Sequence, residues 1–279
     1  VSSYLEALNN EIKRNYNGEK LETLYIGGGT PSSLSIVELE ELFSILSIFK
    51  KTSSCELTIE ATFDSITEEK IDLFKKYGVN RISFGIETTH DWILQKMNRT
   101  LDKKYVRQII SYCKKIGITN INVDLMYAFP GETLDEVEDD IDFILSLDVP
   151  HVSTYSLILE EHTKLFLENM KNISEELDAK MYELICSKLS NFSHYEISNF
   201  AKDNLYSKHN LCYWNNDNYY GFGLGASGYL DNIRYTNTKS ITYYLQEKYC
   251  YGKEEIGYYD MMEYQIILNL RTKWGISKQ

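Results

Sequence analysis

Apolar runs and amphipathic helical patterns alternate along the first half of this chain, and that alternation most constrains its fold. Tyr4 to Tyr16 puts Leu5, Leu8 and Ile12 on one helical face, and the apolar run Leu21 to Ile26 follows. Ser35-Ile36-Val37-Glu38 is a capping box opening a helix through Ile48. Glu56 to Ala61 then reads as a strand, Thr67 to Tyr77 as a helix stopped at Gly78, and Arg81 to Glu87 as a strand. Helices at His90 to Met97 and Lys104 to Ile116 precede the strand Ile121 to Met126. Thr133-Leu134-Asp135-Glu136 opens a helix through Leu147, and His151 to Leu157 closes the series. A period of roughly 30 residues demands parallel strands joined by right-handed crossovers. Two α/β architectures satisfy it, an open doubly wound sheet or a barrel related to the TIM fold. In both, chemistry lies beyond the C-terminal ends of the strands.

The residues at those ends are polar or small. The first run leads into Gly27-Gly28-Gly29-Thr30-Pro31. Without a Cβ, main-chain groups there can approach a ligand closely, and Pro31 stiffens the exit. A tight turn is the plain alternative. No Gly-Lys-Ser/Thr follows, so the stretch is not a P-loop. Glu60, Glu87 and Asp124 stand at successive strand ends. A buried carboxylate needs a partner or a ligand. These three therefore form ion pairs with Arg81 and Arg99, or they line a site for a cationic or amino-bearing ligand.

A net charge of −12 argues against a nucleic-acid backbone or an anionic membrane as partner. No apolar run approaches the ~20 residues of a membrane span. The five cysteines are scattered, which reads as reduced thiols in a cytoplasmic protein. Residues 1–165 read as one domain and 166–279 as a smaller covering region. In the latter, Ile173 to Leu189 is helical, and Tyr195–Phe200, Tyr213–Gly228 and Ile233–Thr236 are irregular or β. Gly223-Leu224-Gly225-Ala226-Ser227-Gly228 matches the dinucleotide pattern, but no amphipathic helix follows, so close backbone packing is its expected role.

Six segments carry a resemblance: Gly27–Pro31, Thr58-Ile59-Glu60, Asn80–Glu87, Asn98-Arg99, Asn122–Tyr127 and His151–Leu157. Their order resembles that of the oxygen-independent coproporphyrinogen III oxidase group of radical SAM proteins, over nearly the whole chain. His209-Asn210-Leu211-Cys212-Tyr213-Trp214 is similar to the marker of that group's heme-chaperone branch. The resemblance implies a partial (β/α)6 TIM-like barrel, its first strand absent from this chain, plus a smaller C-terminal α+β region. It implies S-adenosylmethionine (SAM) bound against a [4Fe–4S] cluster. By motif, Gly28, Gly29 and Thr30 would hold the methionine end of SAM and Glu60 would accept from its amino group. Arg99 would pair with its carboxylate. Glu87 and Asp124 would take ribose hydroxyls, and Met126 and Ile158 would flank the adenine. His209 would be an axial heme ligand, with Cys212 as the thiolate alternative, or else a hydrogen-bonded anchor of an irregular loop.

The implied function is a chaperone that binds heme and passes it to an acceptor protein. The alternative is an oxidase that converts the propionates of a porphyrinogen to vinyl groups. A metal-free sugar or phosphate enzyme is a third class, with no basic phosphate loop to support it. Three positions depart from the group's pattern. Glu87 stands where Gln is common, and Ala128 where Gly is common, which strains the backbone only if φ is positive. The third is the cluster. No Cys-x3-Cys-x2-Cys run is present, and no two cysteines stand closer than Cys186 and Cys212. The cluster ligands are expected upstream of Val1, so the chain reads as a fragment truncated at both ends and unable by itself to cleave SAM.

Overall fold

In the computed structural model, which describes residues 1–158 and 171–276, strands and helices alternate as the periodicity predicts. The order is α1 (Ser2–Asn15), β1 (Leu21–Ile26), α2 (Ile36–Leu46), β2 (Lys51–Thr62), α3 (Glu68–Lys76), β3 (Arg81–Glu87), α4 (Asp91–Lys96), α5 (Lys103–Lys115), β4 (Asn120–Tyr127), α6 (Leu134–Ser146) and β5 (His151–Ser156). β2 starts earlier than expected, because Lys51–Ser54 carry no apolar signal. Both capping boxes form: Ser35 with Glu38, and Thr133 with Glu136, exchange side-chain and main-chain hydrogen bonds. α3 and α5 end at Gly78 and Gly117, with φ of 84° and 85°. After α3, Gly78 N–H donates to Lys75 O and Val79 N–H to Phe74 O, and the same pair of bonds closes α5. The expected domain boundary near residue 165 lies outside the described residues. Among those residues, no helix is long and apolar enough to cross a membrane.

The chain divides into two units, one of Thr58–Tyr206 and one of Val1–Leu57 with Ser207–Gln279. In the first, the end of β2, then β3, β4 and β5, lie side by side in sequence order and parallel. A doubly wound sheet reverses its strand order at a switch point. This order does not reverse, so crossovers of one hand put the helices on one face, as in a barrel. That face is apolar, with Ile82, Phe84, Val123, Leu125 and Val152 all buried. Alternate residues point the other way and are polar, among them Ser83, Asn122, Asp124 and Ser153. Beyond β5 come α7 (Glu175–Lys188) and the antiparallel strands β6 (Ser193–Glu196) and β7 (Asn199–Ala201), with β7 beside β5.

In the other unit, Leu5, Leu8 and Ile12 of α1 pack with Leu42, Leu46 and Phe49. The irregular loop expected around His209 is instead a helix, α8 (Lys208–Trp214), whose first turn Ser207 caps by accepting from Asn210 N–H. Its His, Asn, Cys, Tyr and Trp are weak helix formers, so local propensity gave no sign of it. The antiparallel strands β8 (Ser227–Leu230) and β9 (Ile233–Asn237) are followed by α9 (Ile241–Leu245), β10 (Cys250–Glu255) and α10 (Tyr258–Leu270). The Gly223–Gly228 stretch packs by close approach, as expected, and the close approach extends back to Gly221. A Cβ on Gly221 would stand 2.0 Å from Ser227 O, and one on Gly228 2.2 Å from the Tyr235 ring. Gly223 N–H donates to the buried Glu11 carboxylate at 2.8 Å, which also accepts from Asn237 and Tyr244 at 2.6 Å each.

These contacts order two substitutions. Thr133→Ala removes half a capping box and should cost about 1 kcal/mol of unfolding free energy. Gly228→Ala forces Tyr235 aside and should cost more, about 1–3 kcal/mol. Denaturant titration checks both, and wild-type midpoints would contradict the stated contacts.

Candidate functional site

In the Thr58–Tyr206 unit, β3 ends in a bulge. Glu87 has φ of 65°, and the register against β4 shifts between Gly85 and Glu87. The bulge turns the Glu87 carboxylate back over the strand. A Cβ on Gly85 would lie 2.7 Å from Glu87 Oε1, so a side chain there would push the Glu87 carboxylate aside. Arg99 Nη1 donates to that same oxygen at 2.9 Å. Arg99 is delivered by the stop of α4. Asn98 adopts φ of 56°, its N–H donates to Gln95 O, and Arg99 N–H donates to Leu94 O. Asn98-Arg99 is thus one device, a left-handed helix stop that aims a guanidinium. Burial raises the pKa of Glu87 and the Arg99 charge opposes that rise. For Glu87, then, the ion-pair reading holds, and the pair uses one of the guanidinium's five N–H donors.

Asp124, on β4, accepts from Asn122 Nδ2 at 2.8 Å and from Ser83 Oγ at 3.2 Å. Burial pushes its carboxyl up, opposed by these donors and by the Arg81 charge. Asn122 Nδ2 also donates to Ser83 Oγ at 2.7 Å. Asn122 Oδ1 stands 2.6 Å from His151 Nδ1, whose Nε2 stands 2.8 Å from the Tyr195 hydroxyl. An amide oxygen only accepts, so Nδ1 carries the proton and Nε2 accepts from Tyr195. Burial, then the Arg81 charge, holds His151 well below the usual histidine range, so it stays neutral. Sequence reasoning found Asp124 and missed Ser83, Asn122 and Tyr195. The period of two aligns Asn122 with Asp124 on one face of β4, with Ser83 beside Asn122 on β3, whereas Tyr195, on β6, carried no such signal. Glu60 lies opposite Ser83 across the β2–β3 pair. Met126 follows Asp124 on the same face of β4, and Ile158 lies exposed after β5. Ala128, just past β4, has φ of 68°, so the strain expected of a non-glycine there is present.

In the other unit, the glycine loop is an open cradle. Gly28 has φ of 83°, and a Cβ on Gly28 or Gly29 would meet nothing within 4 Å. No neighbouring atom crowds the Cβ position of either glycine, and both residues are exposed. A loop without side chains at these positions lets other groups approach its backbone closely. On α8, His209 Nδ1 is 2.9 Å from Thr23 Oγ1, Nε2 is 2.7 Å from the Tyr213 hydroxyl, and the ring stacks on Tyr25. Its N–H donates to Glu56 at 3.1 Å. Both ring nitrogens are engaged, so His209 anchors α8 to β1, and ligation through Nε2 would require Tyr213 to release it. Burial pushes the Cys212 thiol up, which disfavours a thiolate. Among the described residues, no three His, Cys, Asp or Glu side chains converge as a metal site. Cys55 and Cys113 are buried and Cys250 is exposed, all as free thiols. The described residues do not fit a [4Fe–4S] cluster.

The Radical SAM superfamily model matches residues 2–144. The structure is similar to that of coproporphyrinogen III oxidase (HemN) from Escherichia coli, a radical SAM enzyme, with a TM-score of 0.87 and 19% identity over 97% of this chain and 68% of that one. At that identity the likeness is one of fold, the TIM-like radical SAM barrel. The chain belongs to the radical SAM superfamily. It is 39% identical to the heme chaperone HemW of Lactococcus lactis, across 99% of this chain and 75% of that protein. It is 38% identical to HemW of Bacillus subtilis, across 100% and 78%. Within the superfamily it is therefore a member of the HemW family, as the six segments and the His209–Trp214 marker indicate.

The His151 network makes stability depend on pH. An unfolded histidine titrates near 6.5, and folded His151 titrates lower. The unfolded state therefore binds the extra proton first. This contribution is full above about pH 6.5 and is lost below it, at up to ~1.4 kcal/mol per pH unit. Buried Glu87 and Asp124, both raised, slope the opposite way. The difference between wild type and His151→Gln isolates the histidine. That difference should shrink as pH falls from 7 to 5, and a constant difference would contradict a neutral buried His151.

Proposed function

We propose that this chain is a SAM-binding heme chaperone, which takes up heme and passes it to an acceptor protein. Its similarity to HemW heme chaperones along the whole chain carries this reading. The likeness to the oxidase, by contrast, is in fold. Gly28, Gly29 and Thr30 would receive the methionine end of SAM on main-chain groups, and Glu60 would accept from its amino group. Arg99 would pair with the SAM carboxylate while still holding Glu87, and Glu87 and Asp124 would accept from ribose hydroxyls. Ser83 and Asn122 fix the Asp124 carboxylate for that task. Met126 and Ile158 would flank the adenine. Bound SAM supplies a sulfonium centre with an activated carbon–sulfur bond.

For heme, His209 is the candidate axial ligand, and its release from Tyr213 is the step the protein must supply. The stacked Tyr25 and the Thr23 contact would then keep the ring oriented.

Two titrations test these assignments. Gly85→Ala drives a methyl into the Glu87 carboxylate and should weaken SAM binding by at least about tenfold, a loss of one charge-assisted contact. Wild-type affinity would contradict Arg99 and Glu87 as SAM ligands. In hemin titrations, His209→Ala should lose the wild-type absorption band and affinity, while Tyr213→Phe, which frees Nε2, should bind at least as tightly as wild type. Identical spectra and affinity in His209→Ala would rule out His209 as the ligand.

A further inference from the structure

Between the strand end that carries Asp124 and Met126 and the start of α6, the chain turns through Ala128-Phe129-Pro130-Gly131-Glu132. Ala128 and Gly131 are left-handed, with φ of 68° and 92°. Glu132 closes this turn twice. Its N–H donates to Phe129 O at 2.9 Å, and its Oε2 accepts from Phe129 N–H at 3.0 Å. The clamp on the turn is thus a carboxyl, and the residue is only 3% exposed. Its Oε1 is buried without a hydrogen-bond partner, and Glu132 belongs to none of the ion pairs among the described residues.

The charges acting on this carboxyl are negative. From α6, Asp140 and Glu136 both act on it. Asp140 is buried, and its Oδ1 accepts from the N–H and the hydroxyl of Thr89. Glu136 accepts from Trp92 Nε1 at 2.7 Å and caps α6. From the segment after β3 come His90 and Lys96. His90 Nε2 donates to Glu136 O at 2.9 Å and lies 3.6 Å from Asp140 Oδ1, and Lys96 lies over the Trp92 ring at 4.5 Å. Neither bonds to Glu132. Burial above all, then the Asp140 and Glu136 charges, pushes the Glu132 carboxyl up to about 8, against the main-chain N–H groups of Phe129 and Ala128. Burial pushes Asp140 up as well, but the Thr88 and Thr89 hydroxyls, the Thr89 N–H and His90 all favour its anion. The proton of this pair therefore stays on Glu132.

A buried carboxylate with one oxygen unpartnered and two like charges alongside is costly, whereas a neutral carboxyl there, or a carboxylate in water, is not. Once ionised, Glu132 is driven toward solvent, and the bond from Phe129 N–H goes with it. We propose that Glu132 is a proton-held latch: its neutral carboxyl keeps the turn after β4 closed, and loss of its proton to solvent in mild alkali frees that turn beside the Asp124–Met126 strand end. The latch stands on Glu132 and its neighbours, and its effect on SAM rests on the reading above.

Glu132→Gln keeps a neutral acceptor for Phe129 N–H and cannot ionise. An unfolded glutamate titrates near 4.5, so it is folded Glu132 that binds the extra proton. Its stabilising contribution is full below about pH 4.5 and is lost as pH rises through about 8. The melting temperature of Glu132→Gln should therefore gain on the wild type across that range, by about 5 °C or more at its upper end. Infrared difference spectra, wild type minus variant, should show the C=O stretch of a protonated carboxyl at about pH 6 and lose it by about pH 10. Parallel melting profiles, absence of that band, or a variant that does not fold overturns the proposal.

SAM titration then tests the release. The closed fraction falls from about nine-tenths at about pH 7 to about one-tenth at about pH 9, so wild type should bind SAM about tenfold more weakly at the higher pH, beyond any change in Glu132→Gln. The same pH response in both proteins overturns the release of the turn. Failure of SAM to bind either protein would contradict the SAM reading, while the melts and the infrared band would still decide the latch.

Discussion

A β-strand sends alternate side chains to opposite faces, and the β2–β5 sheet uses that constraint to separate packing from chemistry. Because its strands stand in sequence order with crossovers of one hand, the helices cover one face. Ile82, Phe84, Val123 and Leu125 fill that face with an apolar core. The other face is relieved of packing and carries the hydrogen-bonded run from Ser83 through Asn122 to His151 and Tyr195. A one-residue slip of β3 or β4 would exchange the two sets, so the apolar core also fixes the register of the polar one.

Local backbone devices then aim the side chains that matter. The bulge at Glu87, the missing side chain at Gly85 and the left-handed Asn98 converge on one ion pair. Each is a departure from ideal strand or helix geometry, and each lies at a strand or helix end, where such departures cost least. Ala128 is a further case, a left-handed residue with a methyl where the backbone favours glycine.

Much of this was legible beforehand. The capping boxes at Ser35 and Thr133 and the glycine stops at Gly78 and Gly117 are local signals, and those elements lie where the pattern put them. Glu60, Glu87 and Asp124 were found because a carboxylate at a strand end is conspicuous. Ser83, Asn122 and Tyr195 were not, because uncharged polar residues in strands reveal their role only once register brings them together. α8 escaped because its stability comes from tertiary anchors, Thr23 to His209 and Glu56 to the His209 N–H, rather than from helix propensity. The pairing of Arg99 with Glu87 depends on a bulge that the run Arg81–Glu87 does not announce.

The central claim is that the polar strand ends of the Thr58–Tyr206 unit serve one small ligand, SAM. A crystal structure of this chain grown with SAM tests it most directly. The account predicts the SAM carboxylate at Arg99 and the ribose at Asp124. SAM bound elsewhere, with Arg99 and Asp124 contacting only protein or water, would contradict it.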